Sequence, residues 1–193
     1  YLEETGRTPA IPPVNDRAPG ASYPAVFVSW NEARHFAMWL SKKEGAVYRL
    51  PTEAEWERAA RAIGEGADTG PERVAADGPA PLRPVGTSER DRTPEEIHGL
   101  AGNAAEWCLD WYAEDFYQWS PASDPVGPGR PPEPARRVLR GGDRSGGQDA
   151  PWALVRGSAS PVTRDGSIGL RLVREADTPT SDTVPSSVRT ITR

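Results

Sequence analysis

The sequence predicts an α+β fold built from two capped helices, short antiparallel strands and extensive loops. Three observations carry that expectation. Twenty-one prolines and 19 glycines punctuate the 193 residues, so regular elements have to be short and loops long. Two S/T-x-x-E capping boxes, Ser29 with Glu32 and Thr52 with Glu55, each open a stretch whose apolar residues recur at helical spacing. Seven tryptophans supply burial area that a mean hydropathy of -0.64 leaves scarce. At 20.9 kDa the chain suits one domain with loose ends. Residues 1–22 read as an extended lead-in, 23–174 as the domain, and the Thr-, Ser-, Asp- and Pro-rich 175–193 as a disordered tail.

Composition narrows the function classes. A net charge of -5 gives no general reason to expect nucleic-acid binding, though local basic clusters are compatible with it. No segment has the ~18–20 apolar residues of a membrane span. YLEETGRTPA lacks the charged and apolar regions of a signal peptide. Together with a single cysteine, Cys108, which rules out an internal disulfide and a cysteine-cluster metal site, this points to the bacterial cytoplasm. The first residue is not Met, which is compatible with a larger parent chain.

In chain order, AVFV (25–28) reads as a short strand. A helix follows from Trp30, with Trp30, Ala33, Ala37 and Leu40 on one face and Gly45 as its stop. His35 in this helix reads as structural or exposed. Val47–Leu50 is a second strand, ended by Pro51, and the helix over 53–63 turns Trp56, Ala59 and Ala60 inward. Glu53, Glu57, Arg58 and Arg61 are left for i,i+4 pairing. Residues 64–95 form a Gly-, Pro- and charge-rich connection. AGNAAEWCLDWY (101–112) is the core strand: Trp107 and Trp111 share one face, Glu106 and Asp110 the other. The two carboxylates either share a hard cation or pair with Arg140 or Arg171, the preferred reading. Residues 113–134 are a loop anchored by Phe116, Tyr117 and Trp119. Strand and glycine turn RVLRGG (137–142) and strand IGLRLV (168–173) bracket a segment poor in apolar residues.

These motifs carry a resemblance. VSWNEARHFAMWL (28–40), YRLPTEAEWERAAR (48–61), IHGLAGNAAEWCLDWY (97–112), RVLRGG and IGLRLV resemble the formylglycine-generating-enzyme family, also called sulfatase-modifying factors, over residues 23–174. The resemblance implies a variant of the C-type lectin fold. It also implies calcium sites. The first is expected to be missing or rebuilt, since 64–95 holds only Asp77 and neighbours. The second would use Glu106 and carbonyls of the Gly102–Asn103 turn, and Gly99 stands where relatives have an acid or amide. Asn103 and Glu106 are therefore the calcium-ligand candidates.

The chemistry of the family's enzymes is absent from the residues. Sulfatase-modifying members hold copper(I) with a cysteine pair after R-G-G, but Asp143–Ile168 contains no cysteine. The related iron enzymes use three histidines, and only His35 and His98 are present. Neither a Ser-His-Asp setting nor a phosphate loop is found. No catalytic residue and no catalytic cofactor are expected; calcium is the one cofactor left open. The resemblance extends to variable proteins of diversity-generating retroelements, in which the segment between R-G-G and the closing strand is diversified. Here Asp143, Arg144, Ser145, Gly146, Gly147, Gln148, Asp149, Trp152, Arg156, Asp165 and Ser167 occupy it. Small polar residues with a Trp and an Arg suit either a recognition surface or a solvated loop. The expectation is a non-catalytic module presenting residues 143–167 to a protein or small-ligand partner, with no nucleic acid or membrane partner. A metal-dependent oxidoreductase of the same family is the alternative.

Overall fold

The computed structural model describes residues 2–5, 22–63, 82–87, 91–142 and 155–176. Both capping boxes form as their spacing requires. The Ser29 hydroxyl accepts the Glu32 N–H while the Glu32 carboxylate accepts the Ser29 N–H at 2.9 Å, opening α2 (Trp30–Glu44). Thr52 and Glu55 repeat the exchange, 3.2 and 2.8 Å, at the start of α3 (Glu53–Arg61). Gly45 closes α2 in the left-handed region, φ 67°, a conformation that glycine adopts without strain. A single turn, α1 (Leu2–Thr5), precedes them where an extended lead-in was expected. The Lys43 ammonium ties it to α2 through Glu4 at 2.7 Å. The remainder of the lead-in, 6–21, and the tail from 177 lie outside the described residues.

The main sheet has the order β4-β3-β2-β5, from β2 (Ala105–Trp111), β3 (Arg137–Arg140), β4 (Arg156–Ala159) and β5 (Ile168–Gly169). β2 pairs antiparallel with β3, and β3 with β4. β5 departs from the antiparallel expectation and runs parallel to β2. The chain between β4 and β5 is carried past the N-terminus of α2, where Asn31 N–H donates to Pro161 O and Arg164 grips Glu32 with two 2.9 Å bonds. It therefore re-enters the sheet from the end at which β2 begins. The IGLRLV run is also two elements. β5 ends at Gly169, the chain turns Arg171 toward Glu106, and β6 (Val173–Arg174) pairs instead with β1 (Tyr48–Arg49). The expected strand over 25–28 reduces to one bridge, Val26 to Gly169. Phe27 has φ 58°, which interrupts the extended run and directs its N–H to Asp165 O at 2.9 Å.

β2 is buried on both faces, and its alternation sorts two cores. Ala105, Trp107, Leu139, Ala159 and Ile168 pack with Trp30, Ala33 and Leu50 on the α2 side. Cys108 and Val138 pack with Trp56, Ala60 and Leu100 on the α3 side. Each deeply buried indole N–H has an acceptor: Trp30 on Cys108 O at 2.9 Å, Trp107 on Val28 O at 2.8 Å, Trp56 on the Glu106 carboxylate at 2.7 Å. On the first side Trp30 and Trp111 stack 6.5 Å apart with the Arg137 guanidinium between them, 3.7 and 3.3 Å from the ring centroids. Burial pushes Arg137 down to about 10, the Arg34 charge adding to it. In the loop after β2, α4 (Phe116–Trp119) buries Phe116, against which Trp119 packs edge-on at 4.8 Å. His35 is exposed.

A cap side chain that satisfies an otherwise orphaned helix N–H contributes about 1 kcal/mol. Thr52→Ala, which removes the acceptor of the Glu55 N–H, is expected to lower stability by about that amount in urea melts, with an unchanged denaturant slope.

Candidate functional site

The charged chemistry of the molecule gathers on the α3 face of the sheet. Glu53 opens α3 in register with Trp56 and Ala60, so its carboxylate faces inward, 3% exposed. Of the i,i+4 pairing expected among Glu53, Glu57, Arg58 and Arg61, the described residues show Glu57 with Arg61, at 2.5 Å. The i, i+3, i+7 spacing of 53, 56 and 60 was the signal that placed Glu53 inside. Two arginines from adjacent strands converge on it. Arg156 donates Nε at 2.7 Å and Nη2 at 3.0 Å, and Arg140 donates Nη1 at 3.4 Å. Arg140 reaches Glu57 with its Nη2 at 2.9 Å. The Tyr117 hydroxyl lies 2.8 Å from Glu53 and 3.1 Å from Glu57. Burial, then the Glu53 carboxylate, pushes its ionisation well above the ordinary range. The Arg156 guanidinium is flanked by the rings of Tyr112 and Tyr117, at 4.5 and 4.9 Å, and its Nη1 donates to Ala113 O.

Of the recognition residues expected from sequence, Arg156 is thus a clamp within the fold, every nitrogen engaged. Asp165 and Ser167 form a turn of their own: Ser167 donates its N–H and its hydroxyl to Asp165 Oδ1, 2.8 and 2.6 Å. That turn adjoins β5, and Arg156, Arg140, Glu106 and Gly169 lie in one row across the sheet. Three strand spacings, roughly 14 Å, therefore separate Arg156 from the Asp165–Ser167 turn. Asp143, Arg144, Ser145, Gln148, Asp149 and Trp152, with Gly146 and Gly147, lie outside the described residues. So does Asp77.

The acid face of β2 divides. Glu106 takes the guanidinium of Arg171 on both oxygens, Nε at 2.8 Å and Nη2 at 2.9 Å, and the Trp56 N–H. This is one of the two arginine pairings expected. Asp110 takes no guanidinium among the described residues; its Oδ2 accepts the Glu53 backbone N–H at 2.8 Å, capping the start of α3. Burial raises Asp110 to about 6, against the pull of that N–H. Cys108 between them is fully buried, and its thiol is pushed well above its ordinary value by burial first and by Asp110, Glu53 and Glu106 next. It has the environment of an inert core thiol.

The calcium candidates do not fit a cation. Both Glu106 oxygens are committed to Arg171. The Asn103 side chain clasps residue 83, its Oδ1 accepting the Arg83 N–H at 2.9 Å and its Nδ2 donating to Arg83 O at 3.0 Å. Gly99 supplies no side-chain ligand, and a Cβ there would stand 3.7 Å from Arg171 Nη2. Among the described residues no group of three or more His, Cys, Asp or Glu is placed to hold a metal ion. No helix among them is long and apolar enough to cross a membrane.

Comparison with known proteins agrees with this frame. The Sulfatase-modifying factor enzyme 1-like domain family matches residues 7–176. The formylglycine-generating enzyme of Streptomyces coelicolor is 36% identical over 183 residues, 81% of this chain and 54% of that protein. The serine/threonine-protein kinase Pkn1 of Chlamydia trachomatis is 37% identical over 160 residues, 80% of this chain and 25% of that protein. The chain thus spans between a quarter and just over half of the length of these relatives. Among solved structures, PvdO from Pseudomonas aeruginosa superposes with a TM-score of 0.68 at 27% identity, covering 81% of this chain and 64% of that one. Treponema denticola variable protein 1 gives 0.63 at 24% identity, covering 80% and 73%, a likeness of fold.

Two outcomes test the charged face. Arg156→Ala leaves a buried carboxylate short of its main partner and is expected to cost about 3 kcal/mol in chemical denaturation. For Asp110, the folded value near 6 stands above the unfolded one of about 4, so proton uptake favours the folded chain. That contribution is present at low pH and lost as pH rises through about 6. Asp110→Asn keeps an acceptor for the Glu53 N–H without the charge. Its stability relative to the parent should rise by roughly 2 kcal/mol between pH 4 and pH 7.5; a difference independent of pH would remove the assignment.

Proposed function

The chain belongs to the sulfatase-modifying factor enzyme 1-like family, and on that premise we propose that it is a non-catalytic binding module presenting residues 143–167 for recognition of a protein or ligand. The observation that carries this reading is the mounting of the segment. The chain leaves the sheet after Arg140 and re-enters it at Arg156, its cross-strand partner, and both arginines are held from beneath by Glu53. A frame fixed by buried charge pairs tolerates change in the residues it carries, which is what a recognition surface requires. Within the segment the described part, from 155 onward, is bonded to the body of the fold. Recognition therefore falls chiefly to Asp143, Arg144, Ser145, Gln148, Asp149 and Trp152, where a Trp and an Arg can anchor and small polar residues adapt. The chain's one cysteine is sealed in the core and lies, in sequence, outside the segment after R-G-G that carries the family's copper-binding pair. The fold likeness to a variable protein, and the match to a quarter of a protein kinase, support a module that recognises rather than reacts.

A metal-dependent oxidoreductase is the second reading, favoured by the relationship to a named formylglycine-generating enzyme. Its metal ligands would have to come from beyond the described residues or from a partner chain.

Replacing Trp152 and Arg144 together with Ala is expected to shift the melting temperature by less than about 2 °C while abolishing partner capture. The purified chain is expected to carry neither copper nor iron in stoichiometric amount and to consume no oxygen with a cysteine-containing peptide. Stoichiometric metal together with turnover would overturn the proposal in favour of the oxidoreductase.

A further inference from the structure

On the β5 side of the sheet, away from the Glu53 clamp, the loops 82–87 and 91–99 and the Gly102–Asn103 turn enclose a cleft of about 440 Å³. Small-molecule sites commonly measure ~300–1,000 Å³. Three carboxylates line it, and each is already engaged by the chain. Asp91 Oδ1 accepts the N–H groups of Leu100 and Ala101, both at 2.9 Å. Glu96 is paired with Arg92, and Glu106 with Arg171. The cationic groups are the ones with capacity to spare. Arg83 is fixed through its backbone by the Asn103 clasp, while its guanidinium has no partner among the described residues. Arg171 spends Nε and Nη2 on Glu106 and the His98 carbonyl; its Nη1 has no partner among the described residues, and the side chain is 25% exposed. Ile97, Leu170 and Pro84 give the same cleft apolar wall.

Unspent guanidinium N–H groups beside an apolar wall select an oxyanion with a hydrocarbon body. We propose that this cleft binds a small organic carboxylate, its charge held by Arg83 and Arg171 and its body laid against Ile97, Leu170 and Pro84. The site is separate from the segment proposed for recognition, and its occupancy does not depend on that reading.

The test is titration of the full chain with hexanoate and benzoate, followed by calorimetry and by amide chemical-shift changes, with hexylamine and inorganic phosphate as comparison ligands. The expected result is saturable binding of both carboxylates, with shifts confined to residues 83–87, 97–99 and 169–171. Arg83→Ala, which removes only an exposed side chain, should weaken binding about tenfold without altering the melting temperature. Val85→Asp, at the exposed mouth, should weaken it further by repulsion. Hexylamine binding as well as hexanoate, shifts mapping elsewhere, or an affinity unchanged in Arg83→Ala would each overturn the proposal. Phosphate binding as tightly as the carboxylates would overturn its organic part.

Discussion

One buried carboxylate, Glu53, sets the arrangement of the α3 face. Taking a charge out of water is costly unless donors replace the solvent. Here three side chains from three separate parts of the chain do so: Arg140 from β3, Arg156 from β4 and Tyr117 from α4. Its position in the first turn of α3 adds the favourable end of the helix dipole. Because the donors must arrive together, the carboxylate fixes the seating of α3 on the sheet, the placement of α4 and the start of β4 at once. The neighbouring Asp110 completes the joint by accepting the Glu53 backbone N–H, so the residue is held by its main chain and its side chain alike.

β2 makes this possible because it is buried on both faces but with different chemistry on each. Tryptophans meet α2, and acids with a small thiol between them meet α3. Inverting the register by one residue would set Glu106 and Asp110 among Trp30, Leu50 and Ile168, with no donors to receive them. Gly141, φ 90°, lies just past β3, where a Cβ would come within 3.1 Å of the Trp56 ring. The strand can thus end directly against the indole that donates to Glu106. Specificity of register and satisfaction of buried charge are the same constraint seen from two sides.

Much of this was legible in the sequence where the cause is local. The capping boxes at Ser29 and Thr52, the Gly45 stop and the alternation of Glu106, Trp107, Asp110 and Trp111 depend on spacing alone, and all appear as expected. Long-range choices were not legible. Spacing shows that Glu106 and Asp110 share a face, but not that one meets Arg171 and the other a helix N–H. Glu53 has the composition of a surface residue, and only its phase with Trp56 and Ala60 betrays it. The parallel course of β5 depends on where the preceding turn is tied, through Arg164 and Glu32, 132 residues apart in sequence. The cleft at Arg83 and Arg171 is formed by loops distant along the chain, so no motif announces it.

The pairing of the two ends of the domain carries a kinetic consequence. Val26 bridges Gly169, and Tyr48 pairs with Arg174, separations of 143 and 126 residues by subtraction. Contacts of such range are costly in chain entropy before they return any stability, which slows folding. The helices with their caps can form while the chain is being synthesised, but the sheets cannot close until residue 174 has left the ribosome. Until then both faces of β2 lack part of their cover, and the last few residues of the domain decide when its tryptophans are finally withdrawn from water.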